Sequence, residues 1–556
     1  MSSKRSFALG ASRKALLRAV LEKEGVSAEL SPPGSTIPRR PDTGSVPFSF
    51  SQQRLWFLDK LGAGAAYNMP LFLRLSREID EKALSRALRE IVRRHEVLRT
   101  TIPEVDGHPH PVVATDPAID VALVDSRELD APSREVELSR LAAEEWGRTF
   151  DLVKGPLLRA TLIRLGASDH ALLVTMHHVV SDGWSMRVFL RELTLLYAAF
   201  ARDEASPLPE LPIQYADFAF WQRQRLSGPD LAAELSYWRA RLEDLPLLEL
   251  PADRNRPSKG SHRGASESLP LGEGLAASLD ALCQKEGVTR FMALLAVFQI
   301  LLFRYTGQED VVVGTPVANR NWPEVEPLIG FFVNSLVLRT SLSGRPSFRE
   351  ALARVRETAL QAFDHQELPF DLLVEKLAPA RDPGRNPFFQ VTFSLDGQPT
   401  ASRERSASEG SRGLGVETEV TTTRFDLEMY VGGRDALAAR LVYNSDLFDR
   451  PKIEGMLRHY RNLLDRLTSE PDLAITSIAV LDESERGELL REWTGGRSSF
   501  PRELSVGELF EEKVRERGEA IAVRYGKEEV SYRELNERAN RLAHALRARG
   551  VGAESV

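Results

Sequence analysis

At 556 residues, with 42% hydrophobic and 28% charged side chains and a net charge of −7, the chain is too long for one core and offers no basic excess to nucleic acid. Its single cysteine, Cys283, excludes an intrachain disulfide framework, and no apolar run approaches the roughly 20 residues that span a bilayer. The N-terminus lacks the apolar stretch of a signal peptide, so the expected location is the cytoplasm, away from any membrane.

Residues 12–24 have the pattern of a short amphipathic helix, with Ser12 as N-cap, Leu16, Leu17, Val20 and Leu21 as its apolar stripe, and Gly25 as its stop. A Pro-, Gly- and Ser-rich tether over 27–47 follows, and residues 1–47 fit two uses equally: docking an upstream protein, or packing as a leader on their own domain. Folded sequence begins at Phe48. Ser51 to Leu58 is helical by period, and Asp80 caps a helix with Leu84, Ala87, Leu88 and Ile91 on its inner face, ending at Arg94-His95-Glu96-Val97-Leu98-Arg99-Thr100.

Strand patterns near Leu157–Leu165 and Ala171–Met176 lead into Met176-His177-His178-Val179-Val180-Ser181-Asp182-Gly183-Trp184-Ser185. Period two places Leu172, Val174, Met176 and His178 on one face and Leu173, Thr175 and His177 on the other, so the two imidazoles point in opposite directions. Asp182-Gly183 is a turn signal, and from Trp184 the apolar spacing is helical through Phe200. An imidazole pair at a strand end is by itself more often structural than catalytic. Tyr215 to Trp221 reads as an aromatic helix face, and Leu231 to Leu245 as a helix capped by Asp230.

The proline-bounded stretch Pro251 to Pro257 divides two lobes, 48–250 and 251–482. The second contains helices over Leu275–Lys285, with Cys283 in its core face, and Arg290–Tyr305, the apolar run Val311-Val312-Val313, and the stretch Ile329-Gly330-Phe331-Phe332-Val333-Asn334-Ser335. An exposed loop over 398–413, strands at Gly415–Val420 and Asp426–Val431 and a helix at Ile453–Leu467 complete it. Residues 483–505 read as a linker. Residues 506–556 carry a helix at Val506–Arg517, a strand at Ile521–Arg524 and a capping box at Ser531 to Glu534.

HHVVSDGWS is similar to the HHxxxDG signature of nonribosomal peptide synthetase condensation domains, relatives of chloramphenicol acetyltransferase. Six further stretches over residues 48–482 resemble that family's other motifs in order, among them Ser51–Leu58, Arg94–Thr100, Tyr215–Trp221, Ile329–Ser335, His365–Phe370 and Arg381–Gln390. The resemblance implies an α/β (α+β) fold of two chloramphenicol acetyltransferase-like lobes in a V-shaped pseudo-dimer around a central channel. It implies amide-bond formation between an upstream peptidyl or acyl thioester and a downstream aminoacyl amine, both on phosphopantetheine arms of carrier domains, with no metal or cofactor bound by the segment itself. Residues 506–556 resemble the start of an adenylation domain without its phosphate loop, so the sequence looks cut from a longer synthetase whose adenylation domain adjoins.

On that resemblance His178 receives the amine proton, and His177 supports the turn. Gly183 lets backbone reach the reacting carbonyl and offers its N–H to the oxyanion, and Asp182 pairs with Arg320 as structural support. Asn334, Ser185 and Trp184 are expected to line the channel. The phrases Ser51–Leu58 and His177–Ser185 look most like the class joining an L-donor to an L-acceptor. The alternative is a starter domain taking a fatty acyl-CoA. An epimerisation domain shares HHxxxDG but needs a further carboxylate, a heterocyclising variant replaces the histidines, a free-standing acyl-CoA acyltransferase ill fits the adenylation-like tail, and a non-catalytic docking module needs no intact motif.

Overall fold

A computed structural model of the chain describes residues 36–41, 46–62, 64–116, 119–257, 263–377, 385–396, 423–433, 435–492 and 503–552. The chain divides into two compact units, Met1–Val480 and Leu481–Val556.

In the first unit, α1 (Phe50–Lys60) starts at a capping box in which Ser49 and Gln52 satisfy each other's backbone N–H. Strand β1 (Asn68–Leu75), helix α2 (Glu81–Arg94), strand β2 (Val121–Asp125), helix α3 (Ala131–Gly147), strands β3 (Leu158–Arg164) and β4 (His170–His177), and helix α4 (Gly183–Phe200) then build the first lobe. Its sheet runs β1-β4-β3-β2, with β4 antiparallel to both neighbours and β2 parallel to β3. Every residue of β4 is buried. Leu172, Val174 and Met176 join the core with α2 and α4, whereas Ala171 and Leu173 face Leu138 and Ala142 of α3. The strand is therefore covered on both faces, which explains its continuous apolar run.

The first core also receives α5 (Tyr215–Arg225) through Tyr215 and Phe218, and the second lobe contains α6 (Gly228–Leu242), β5 (Gly264–Gly272), α7 (Leu275–Glu286), α8 (Arg290–Thr306), β6 (Asp310–Val317), β7 (Asn334–Ser341), α9 (Phe348–Asp364) and α10 (Phe370–Leu377). Strands β8 (Val391–Asp396), β9 (Leu427–Gly432) and β10 (Leu437–Asn444) and helix α11 (Arg450–Ser469) complete it. The six strands lie in the order β7-β6-β8-β9-β10-β5. Helix α8 is buried continuously from Met292 to Leu302, as a helix apolar on all sides must be. Gly314 of β6 is required by contact: a Cβ there would lie 2.2 Å from the Phe389 ring.

Several expectations are corrected. Helix α6, assigned to the first lobe, has Ser227 rather than Asp230 at its N-cap position and buries Trp238 and Leu242 in the core of the second. Conversely Trp322, Val325, Leu328, Ile329 and Phe332 of the second half pack into the core of the first. The proline-bounded stretch marks a change of composition, but apolar faces decide which core each segment joins. Part of the expected tether is also anchored: Ile37 is buried, Arg39 Nε donates to Pro212 O at 2.9 Å, and Arg40 Nη1 pairs with Asp217 Oδ1 at 2.9 Å. The helix expected over 12–24, the strand at Gly415–Val420 and the loop 398–413 lie outside the described residues.

In the second unit, Glu483–Glu492 forms a helix, α12, where a linker was expected. Helix α13 (Val506–Arg517), the hairpin β11 (Ile521–Tyr525) and β12 (Glu528–Ser531), and helix α14 (Tyr532–Arg547) follow. No described residue of α13 or α14 is buried, and Val506, Tyr525 and Leu542 stand exposed. No single helix among the described residues of the chain is long and apolar enough to cross a membrane.

Candidate active site

Strand β4 stops at His177 because the chain turns there into one 3₁₀ turn, His178–Val180, so His178 lies just past the strand and not on its face with Leu172, Val174 and Met176 as expected. His177 Nδ1 accepts the Val179 N–H at 3.1 Å, and Gln52 Nε2 of α1 donates to Val179 O at 3.0 Å, so the turn is held from both sides. The His177 ring sits between Tyr67 and Phe150, with centroids 6.5 and 5.9 Å away. His178 instead meets Phe331, edge to face, at 4.8 Å.

His178 Nδ1 lies 2.7 Å from Ser181 O. A carbonyl oxygen only accepts, so Nδ1 carries the proton and Nε2 is left with a free lone pair. Burial pushes the His178 pKa down to about 4, the positive charge of Arg424 pushing the same way, and burial with the neighbouring His178 pushes His177 down to about 3. Both rings are neutral at physiological pH.

Asp182 caps α4 and is buried with only donors around it. Oδ1 accepts from Ser185 N at 2.8 Å, Ser185 Oγ at 2.7 Å and Arg320 Nη2 at 3.2 Å, and Oδ2 accepts from Phe332 N at 3.0 Å. The Arg320 guanidinium, 6% exposed, also donates through Nη1 to Val325 O at 2.5 Å and Leu328 O at 2.7 Å and lies 4.0 Å over the Phe332 ring. A buried charge pair, hydrogen-bonded through both carboxylate oxygens and both terminal guanidinium nitrogens, fixes two parts of the chain 138 residues apart. Arg320 follows β6, so this pair ties the second half of the chain to the histidine turn of the first.

A condensation-domain family model matches residues 42–490, and a model of AMP-binding enzymes matches 510–556. The chain belongs to the condensation-domain family. The chain is 44% identical over 531 residues to part of a linear gramicidin synthase from Brevibacillus parabrevis, covering 95% of the chain and 10% of that protein. It thus spans about a tenth of the length of that relative. Its fold is similar to the X-domain of teicoplanin biosynthesis in complex with OxyB, with TM-score 0.72, 28% identity and coverage of 82% of this chain and all of the other. It is also similar in fold to a four-domain nonribosomal peptide synthetase bound to AMP and glycine, with TM-score 0.76, 21% identity and coverage of 95% and 40%.

Within the condensation domain two expected channel-lining residues, Asn334 and Ser185, are placed differently, whereas Trp184 is half-buried and lines a cavity with Arg187 and Pro327. Asn334 is buried, its Nδ2 donating to Gln366 O and Leu368 O at 2.9 and 2.8 Å and its Oδ1 accepting from Ser335 N and Phe370 N, so all its bonding capacity goes to backbone. Ser185 is fully buried beside Asp182 and bonds both N and O of Gly330. Trp184 packs on the first core and donates Nε1–H to Glu326 O at 3.0 Å. Gly183, by contrast, is exposed, and a Cβ there would meet nothing within 4 Å. Among the described residues no group of three or more His, Cys, Asp and Glu side chains is placed to hold a metal ion.

In sequence Arg94-His95 is a motif stretch that by itself is only a charged helix end, with no signal of what it touches. The structure buries both on Glu192 of α4: Arg94 Nε lies 3.3 Å and His95 Nε2 3.0 Å from Glu192 Oε2, while His95 Nδ1 accepts the Ile329 N–H at 3.2 Å. Burial depresses the His95 pKa; burial also works to raise that of Glu192, but His95 and Arg94 outweigh it and hold the carboxylate ionised. Tyr215 and Phe331 are visible as motif residues, without any signal of what they touch. Arg424 has no signal at all.

The depressed histidines set an acid limit on folding. Unfolded, each titrates near ~6.5, whereas folded His178 and His177 titrate at about 4 and about 3, so between these values the unfolded chain binds more protons. Their contribution is present above pH ~6.5 and is lost as pH falls toward 4. Urea unfolding across this window should show stability rising with pH, with a shallower slope in His178→Ala. An unchanged slope in that variant would contradict a neutral buried imidazole.

Proposed function

We propose that this condensation domain forms an amide bond between two thioesters presented on phosphopantetheine arms of carrier domains. The amine of the downstream aminoacyl thioester attacks the upstream acyl carbonyl, the carbon–sulfur bond breaks, and the donor arm leaves as a thiol. The thioester stores the driving force, so neither nucleotide nor metal enters the step.

The observation that carries this reading is the His178 imidazole, neutral and bonded through Nδ1–H so that Nε2 is an acceptor. A free α-amine titrates near ~8, so part of it is neutral at physiological pH and needs no ground-state base. As the carbon–nitrogen bond forms, that nitrogen becomes acidic, and Nε2 takes its proton. Gly183 begins α4, where the first backbone N–H groups have no partner within the helix and the dipole favours negative charge. Its N–H then serves the oxyanion, and the open space where its Cβ would stand admits the acyl group.

Asp182 and Arg320 act through position. They hold residues 325–332 against the turn and touch no reacting atom. The partners are an upstream donor carrier, a downstream acceptor carrier and the adjoining adenylation domain. L-donor to L-acceptor is the favoured subtype, a fatty acyl-CoA starter the alternative. Similarity to the X-domain found with OxyB favours one second reading, a module that only binds its partners. Mixing the chain with two loaded carrier domains separates these: dipeptidyl-carrier product within a single turnover supports condensation, and binding without product overturns it.

A further inference from the structure

The segment that faces the His178 ring is clamped at four consecutive residues. Ile329 N–H donates to His95 Nδ1 at 3.2 Å, Gly330 N–H to Ser185 Oγ at 3.0 Å, and Phe332 N–H to Asp182 Oδ2 at 3.0 Å, while Phe331 O accepts from Tyr215 OH at 2.7 Å. The clamp leaves no slack, since a Cβ on Gly330 would lie 2.1 Å from the Tyr215 ring. Ile329 and Phe332 enter the first core, but Phe331 stays half-buried, its ring edge-to-face with His178 at 4.8 Å.

We propose that Phe331 is a specificity-determining residue: its ring, fixed beside His178, sets how large an α-substituent the attacking amine carries. This rests on His178 Nε2 meeting that amine. A nitrogen hydrogen-bonded there sits about 3 Å away, which brings the α-carbon and its side chain within reach of the Phe331 ring. Because retreat of the wall breaks several buried hydrogen bonds, misfit is not relieved by movement of the backbone. Hydrophobic walls discriminate by roughly 10–200-fold per methylene.

The test uses the 556-residue chain with Phe331→Ala and Phe331→Leu, each checked for an unchanged thermal midpoint. Unreactive glycyl- and tryptophanyl-pantetheine amides are titrated by calorimetry, so the readout does not depend on turnover. Phe331→Ala should shift the tryptophanyl-to-glycyl affinity ratio at least about tenfold toward the larger ligand, with Phe331→Leu between it and wild type. An unchanged ratio, or an equal loss of both affinities, overturns the proposal. Absence of product from loaded carriers, with the ratio still shifted, overturns the condensation reading and leaves the wall standing.

Discussion

Asp182→Ala is expected to lower the unfolding free energy of the condensation domain by roughly 3–5 kcal/mol, the cost of leaving a buried charge without its partner. Four donor atoms converge on this carboxylate, from Ser185 N, Ser185 Oγ, Arg320 Nη2 and Phe332 N. For that reason Asp182→Asn should fare little better: with donors facing both oxygens, an amide must turn its NH₂ toward one of them. Two apolar replacements remove both charges at once, so Asp182→Leu with Arg320→Met should lose less than the sum of the single changes. Urea unfolding of the single and double variants beside wild type decides this. A single Asp182→Ala variant as stable as wild type would mean that the pair contributes nothing to folding. Dipeptide formation should fall with stability even where the fold survives, because Phe332 N–H loses its acceptor and Phe331 its fixed place beside His178.

His178→Ala should lower the single-turnover condensation rate about 10²–10⁴-fold, the span a positioned base contributes. It should not abolish it. Holding the two thioesters in register is worth effective molarities of ~10⁵–10⁸ M, and that part of the catalysis does not pass through the imidazole. The pH dependence separates the two contributions. With His178 titrating at about 4, the wild-type rate should rise between about pH 6 and 9 with the amine, and show no inflection near the ordinary histidine value of ~6.5. Near-native rates in a well-folded His178→Ala variant would remove this side chain from the chemistry. An inflection near ~6.5 that disappears in His178→Ala would show instead that the ring is solvated and titrates as an ordinary histidine.

Local signals are legible wherever one segment carries its own period. The alternation along β4, the helical spacing after Gly183, the caps at Asp80 and Ser531 and the helix Val506–Arg517 all follow from side chains close in sequence, and the structure shows them. The motif residues around His178 are equally plain, since each string reads without reference to anything distant. Asn334 and Ser185 are misplaced by sequence for the complementary reason: a polar side chain in a motif looks the same whether it faces a channel or bonds a carbonyl some 32 to 145 residues away.

The amino-acid sequence by itself determined most of the elements, that the imidazole pair closes a strand and to which family the chain belongs, because these depend on neighbours within a few turns or on an ordered set of strings. Only the tertiary structure decided which core receives each element, that α6 joins the second lobe and residues 322–332 the first, and that Phe331 stands against His178. Burial of apolar faces and pairing of buried charges are non-directional in sequence: they act between whatever the fold brings within a few ångströms, and no local pattern encodes that distance.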